Sequence, residues 1–175
     1  MFRVRRILDD EAETYREVRL AALRDSPAAF SASLDVVAAY EPAVWEERTR
    51  LASSGTQSVI FLAFDDRDHP IGMVAVLEGA SDPAAAELVS MWVAPSARGN
   101  GVGAALVDRA ISWAADSGYS RVELWVTRGN RRAEGLYRKL GFEVTGETKP
   151  LPSDPCKDEI RMRLALSSVE PTSHV

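Results

Sequence analysis

The stretch that most limits what this chain can fold into begins at Glu87. Glu87 to Val93 (ELVSMWV) is short, mostly apolar and free of glycine, the pattern of a buried strand. It runs into Ala94-Pro95-Ser96-Ala97-Arg98-Gly99-Asn100-Gly101-Val102-Gly103. Beyond that turn, Val102, Ala105, Leu106, Arg109, Ala110, Trp113 and Ala114 recur at helical spacing, and all but the arginine are apolar. Strand, glycine-rich turn and helix in this order leave unpaired backbone N–H groups around one small concavity, with the positive end of the helix dipole behind them. Such a place suits phosphate oxygens. Gly99, Gly101 and Gly103 let the main chain approach a ligand without Cβ atoms in the way, and Arg98 adds a fixed positive charge. No Gly-Lys-Ser/Thr follows, so the turn is not a nucleotide P-loop. Nor does it match the dinucleotide fingerprint G-x-G-x-x-G.

The rest of the chain builds around this unit. Phe2 to Leu8 reads as a strand, followed by a helix capped by Asp9 or Asp10 and running to about Arg24. Asp25-Ser26-Pro27 breaks it, and the segment up to Glu41 has no clean period. Glu41-Pro42 starts a second helix, ended by Ser53-Ser54-Gly55-Thr56. Ser58 to Phe64 and Ile71 to Leu77 flank a polar turn and predict a hairpin. After the long central helix, which stops at Ser117-Gly118, come a strand over Arg121 to Thr127 and a helix from about Arg131 to Leu140. Strands over Phe142 to Gly146 and Glu159 to Leu166 follow, separated by a proline-rich loop, Pro150 to Pro155. The order β-α-α-β-β-β-α-β-α-β-β predicts an α/β (α+β) protein. Its mixed twisted sheet has six to seven strands, parallel in the middle, flanked by about four helices. A length of 175 residues fits one domain, 1–166, with a polar tail over 167–175 expected to fray.

The run V-x-P-x-x-R-G-x-G-V-G after a strand resembles the acetyl-CoA pyrophosphate loop of the GNAT superfamily of N-acetyltransferases, with Arg98, Gly101 and Gly103 at its defined positions. A second segment, Asn130 to Phe142, resembles that family's N-x-x-A-x-x-L-Y-x-x-x-G-F at full spacing. The β/α order agrees as well. The resemblance implies acetyl-CoA as co-substrate, with its pyrophosphate on the loop Arg98, Gly99, Asn100, Gly101, Val102 and Gly103. It implies that the main chain of Met91, Trp92 and Val93 pairs with the pantetheine amides like an added strand. Asn130 would meet the pantetheine arm or cap the helix. Tyr137 lies two helical turns on, and in the family this tyrosine acts as general acid to the departing thiolate. Read as single residues, Tyr137 is a core side chain and Asn130 a plain cap; the functional reading comes from the two together with the Arg98 turn.

Transfer to an amine requires a proton acceptor, since a free alkylamine has a pKa of about 10.4. Glu87 is the candidate base, at the position where histone-type members carry theirs, with Glu123 second. Ribosomal-protein N-terminal acetyltransferases of the family have a glutamate five residues before the asparagine. Trp125 stands there instead, so their base and substrate do not carry over. Cys156, the single cysteine, has no histidine near it in sequence and reads as a bystander thiol. Two histidines, His69 and His174, leave no zinc site to build. A net charge of −5 weighs against nucleic acid, and the apolar runs are too short for a membrane span, so a cytoplasmic location is expected. The expected activity is acetyl transfer to a primary amine by direct attack in a ternary complex, with a small-molecule acceptor favoured over a protein amine. A non-catalytic acyl-CoA-binding domain and a protein lysine or N-terminal acetyltransferase are the alternatives. Dimerisation is left open.

Overall fold

Val59 to Phe64 are buried without a break, as are Gly72 to Val76. Strands with no exposed face must be covered on both sides. The computed structural model, which describes residues 1–166, supplies that cover from two helical layers. Seven strands form one sheet: β1 (Phe2–Arg6), β2 (Ser58–Asp65), β3 (Pro70–Glu78), β4 (Ala85–Val93), β5 (Arg121–Thr127), β6 (Glu143–Leu151) and β7 (Asp154–Ala165). Their spatial order is β1-β2-β3-β4-β5-β7-β6, and β4 with β5 is the parallel pair among otherwise antiparallel neighbours. Side chains alternate across the sheet. Val59, Phe61, Val74 and Val76 meet Leu106, Val107 and Ala110 of α4 (Val102–Asp116). On the other face Ile60, Leu62 and Met73 meet Tyr15, Val18 and Leu23 of α1 (Ala12–Asp25), with Trp45 of α3 (Pro42–Ser54) packed behind. The mixed sheet with helices on both faces is the architecture that the strand and helix periods predict.

The differences lie at the ends of elements. Glu11, not Asp9 or Asp10, occupies the N-cap position of α1, and no side chain caps that helix. The Glu11 carboxylate instead takes two hydrogen bonds from the Arg5 guanidinium, at 2.8 and 2.6 Å, and one from the Leu8 amide at 2.8 Å. A bidentate charged pair fixes the entry of the chain more strongly than a neutral cap does. The stretch without a period holds a 3₁₀ turn, Pro27–Ala29, and the five-residue helix α2 (Leu34–Ala38), too short to show a period. With α5 (Arg131–Lys139) this makes five α-helices among the described residues rather than four. The proline-rich stretch expected as a loop is mostly strand. β6 continues to Leu151 and β7 starts at Asp154, with irregular register between Pro150 and Leu151. β6 is the sheet's edge, where Pro150 interrupts no second ladder. The tail expected to fray lies outside the described residues. No helix among those described is long and apolar enough to cross a membrane.

Leu106 is fully buried where α4 presses on β3, close enough that a Cβ on Gly72 would stand 3.0 Å from the Leu106 Cδ1. The Leu106→Ala variant is expected to lose about 2–5 kcal/mol of unfolding free energy in a urea titration. A loss below 1 kcal/mol would show that this seam repacks freely.

Candidate active site

The site begins with a sheet that comes apart. β4 and β5 pair only through Ala85 with Arg121, Ala86 with Val122 and Glu87 with Glu123. Beyond Glu87 they diverge, and the cause sits in β4. Ser90 adopts a left-handed φ of 57°, and the β3–β4 register slips between Met73 and Ala75, whose partners are Trp92 and Val89. One residue of β3 therefore faces two of β4, a bulge that bends the strand and reverses its phase. Val89 packs toward α1. After the bulge, Met91 and Val93 turn to the α4 face and Trp92 to the α1 face. The opening is a narrow cleft, partly open to solvent, with Ser90, Met91, Trp125, Asn130 and Tyr137 among its walls.

At the top of β4 the glycine-rich turn does what its composition requires. Gly99 and Gly101 have φ of 82° and 83°, the left-handed region that L side chains rarely adopt. Gly103 is glycine for another reason: a Cβ there would stand 3.2 Å from Leu136 and 3.4 Å from Met91, so it lets α4 settle against α5 and β4. The first hydrogen-bonded amide of the helix is that of Ala105, to Gly101 at 3.0 Å. The amides from Gly99 to Ala104 meet no protein acceptor among the described residues. Arg98 is not a free charge. Its Nε donates to the Val93 carbonyl at 2.9 Å and its Nη2 is ion-paired with Asp25 at the end of α1. The same Asp25 oxygen accepts from Ser26 Oγ at 2.7 Å and from Trp92 Nε1 at 2.9 Å. Trp92, only 8% exposed, is thus a core residue with its indole N–H satisfied.

On the opposite wall, Asn130 caps α5. Its Oδ1 accepts from the Ala133 amide at 3.2 Å, and Glu134 accepts in turn from the Gly129 amide at 3.0 Å. Seven residues on, Tyr137 lies on the same helix face, buried, with its ring edge-on to Phe142 at 5.7 Å. Its hydroxyl makes no hydrogen bond to the protein among the described residues, and burial holds the phenol protonated well above its ordinary range. Asn130, Ala133 and Tyr137 line the cleft together.

Glu87 sits half-buried at the crotch where the strands part, with no ion pair among the described residues. Glu123, the second candidate base, is excluded from that role. Arg121, Arg161 and Arg163 all donate to its carboxylate. Burial alone would raise its pKa, but these three guanidiniums hold it below the usual range, and they occupy the carboxylate that a base would need free. Cys156 is exposed. Two features were not foreseen. Ala28 to Phe30 cross above the cleft, their carbonyls tied to Thr127 Oγ1 at 2.9 Å and Ser153 Oγ at 2.6 Å. Glu159 of β7 is a second buried carboxylate on the face of Glu123, its only outward signal being the alternation Glu159, Arg161, Arg163.

Asp25 joins α1, β4 and the turn, so Asp25→Asn is expected to cost about 1 kcal/mol at neutral pH. Hydrogen bonds from Ser26 and Trp92, with Arg98 adding to them, hold the Asp25 pKa below the unfolded value. Its contribution is therefore complete above about pH 4 and fades as the pH falls through the folded pKa. Urea titrations of both proteins from pH 7 down to pH 3 check this: the gap should close on the acid side, and a gap that widens there would refute it.

The comparisons with known proteins agree with this geometry. The peptidyl-lysine N-acetyltransferase YjaB of Escherichia coli is 31% identical over 93 residues, 53% of this chain and 55% of that protein. The chain spans between 28% and 55% of the length of the curated relatives it matches first. An acetyltransferase of the GNAT family from Streptococcus pneumoniae superposes with a TM-score of 0.79 at 20% identity, over 95% of this chain and all of that one. A phosphinothricin acetyltransferase from Sinorhizobium meliloti, solved with AcCoA, gives 0.77 at 18% identity, over 99% of this chain and 95% of that one. At these identities the likeness is one of fold. The acetyltransferase (GNAT) family model matches residues 10–142, three-quarters of the chain, and the protein belongs to that family.

Proposed function

We propose that this protein is an N-acetyltransferase that moves an acetyl group from acetyl-CoA to the primary amine of a small molecule, by direct attack in a ternary complex. The observation that carries the reading is the unbonded, protonated Tyr137 phenol in a cleft whose other wall, β4, has lost its strand partner beyond Glu87. Residues 1–166 act as one catalytic domain in this reading.

The residues present fit the co-substrate. Free amides from Gly99 to Gly103 at the start of α4 suit a pyrophosphate, with Asn100 and Val102 contributing main chain only. Arg98 braces that turn from behind. The unpaired edge of β4 at Met91, Trp92 and Val93 suits the amides of a pantetheine arm, since main-chain groups that leave a ladder need partners. Asn130 stands at the mouth. Acetyl-CoA supplies the activated thioester, so the protein's task is mostly placement. Glu87, directly or through a water, takes the amine proton as the nitrogen attacks the carbonyl carbon. As the carbon–sulfur bond breaks, Tyr137 gives its proton to the sulfur.

The roof favours a small acceptor. A peptide needs an open groove, whereas Ala28 and Phe30 are tied to Thr127 of β5 and to Ser153 between β6 and β7, and Asp25 just before them is tied to Trp92 of β4 and to Arg98.

A thiol-release assay with acetyl-CoA across an amine panel tests the activity. Tyr137→Phe is expected to lower kcat about a hundredfold or more while acetyl-CoA still raises Tm. A protein that binds acetyl-CoA but turns over no amine would be the non-catalytic binder. One whose Tm ignores millimolar acetyl-CoA would not use this co-substrate at all.

Glu87→Gln should lower kcat at neutral pH and recover part of it at alkaline pH, where more of the amine is already neutral. A variant that matches the unmodified protein at every pH would remove Glu87 from the mechanism.

A further inference from the structure

Beside the cleft, on the sheet face away from α4 and α5, Lys149 of β6 places its ammonium over the Trp125 ring, 4.3 Å from the centroid. The same nitrogen is 3.6 Å from Glu159 Oε2, outside hydrogen-bond reach. Glu159 itself is only 4% exposed, and that oxygen has no hydrogen-bond partner. Thr127, its neighbour across the strands, holds the roof segment at Ala28, and both Thr127 and Trp125 face the cleft. An aromatic face and a buried carboxylate at right distances for a cation therefore stand next to the acceptor side, filled loosely by a lysine from an edge strand.

We propose that Trp125 and Glu159 form a recognition subsite for a positively charged group of the acceptor, in which Lys149 is a removable stand-in. The inference rests on the acetyltransferase reading and adds the class of acceptor: an amine that carries a second cation. One amine loses its proton at Glu87 and is acetylated, while the other remains charged against Glu159.

The electrostatics support an extra cation here. Burial raises the Glu159 pKa above the carboxylate range, and the nearby charge of Glu87 raises it further, while Lys149 only partly opposes them. The contrast with Glu123, met by three guanidiniums on the same face, is direct. Arg161 also approaches the Trp125 ring, at 5.6 Å, but its Nη atoms are held by Glu123 and Glu147, so it cannot turn to Glu159. Lys149 is different: its side chain is 40% exposed and its flexible stem returns the ammonium to water at little cost. A ligand ammonium would give Glu159 Oε2 the short charged hydrogen bond that Lys149 does not make.

The test compares putrescine with butylamine, which has one amine fewer, in the thiol-release assay with acetyl-CoA. The expected kcat/KM favours putrescine by about tenfold or more. Glu159→Gln should lower kcat/KM for putrescine at least tenfold more than for butylamine. Lys149→Ala, on the exposed edge, should lower KM for putrescine severalfold by removing the internal competitor, and it keeps the test valid should Glu159→Gln fold poorly. Equal use of the two amines, a preference that survives Glu159→Gln, or a KM unmoved by Lys149→Ala would overturn the subsite while leaving acetyl transfer intact. If neither amine is acetylated although acetyl-CoA raises Tm, this acceptor class is wrong. If acetyl-CoA leaves Tm unchanged, the acetyltransferase reading falls with it.

Discussion

The whole arrangement depends on a parallel pair that stops after three residues of each strand. A sheet that continued through Leu88 to Val93 would satisfy every backbone group there and leave no site. Instead, Ser90 takes a conformation that a serine adopts at some cost, and the extra residue turns β4 away from β5. Strain of this kind persists only where the surroundings hold it. Here β3 holds it on one side, Met91 and Val93 are pinned against the α4 core, and Trp92 is pinned against the α1 core. The bulge thus creates an unpaired strand edge and also aims the end of β4 at the turn that opens α4.

Rigidity around that opening comes from polar contacts that cross between elements. Arg98 reads in the sequence as a fixed positive charge beside the turn, yet it bonds the Val93 carbonyl and Asp25. Asp25 also takes the Trp92 indole, so the end of α1, the post-bulge strand and the glycine-rich turn share one carboxylate. The α1-side cover is fixed at its other end by Thr127 and Ser153. A cleft bounded by such ties keeps its shape without a ligand, which lowers the ordering cost of binding.

What could be read from residues alone was what short-range chemistry dictates. The turn was legible because left-handed positions at Gly99 and Gly101 need glycine, and α5 because Asn130 caps it and Tyr137 follows two turns later. Gly103 was legible as glycine but not for its true reason, a tertiary contact with Leu136. The roof was hidden because Pro27–Ala29 is a single 3₁₀ turn with no period to read, and because its anchors are single hydroxyls distant in sequence, Thr127 and Ser153. The strand nature of the proline-rich stretch was hidden too, since only its place at the sheet edge makes Pro150 tolerable. Glu123 looked like a candidate base until its three arginines, contributed by β5 and β7, were brought beside it by strand pairing.

Glu123 and Glu159 carry one further lesson about buried carboxylates. Both are almost fully enclosed on the same sheet face, and both would be costly there as isolated charges. At Glu123 the guanidinium count overcompensates burial and the pKa falls; at Glu159 one ammonium, paired at 3.6 Å without a hydrogen bond, undercompensates it and the pKa rises. A protein that needed Glu159 only as a strut could have replaced it and Lys149 with packed apolar residues at no loss of stability. The undercompensated member of such a pair is the one whose remaining attraction for positive charge is available to something outside the chain. The overcompensated member serves the fold, here by holding β7 to β5 directly beneath the point where β5 and β4 separate.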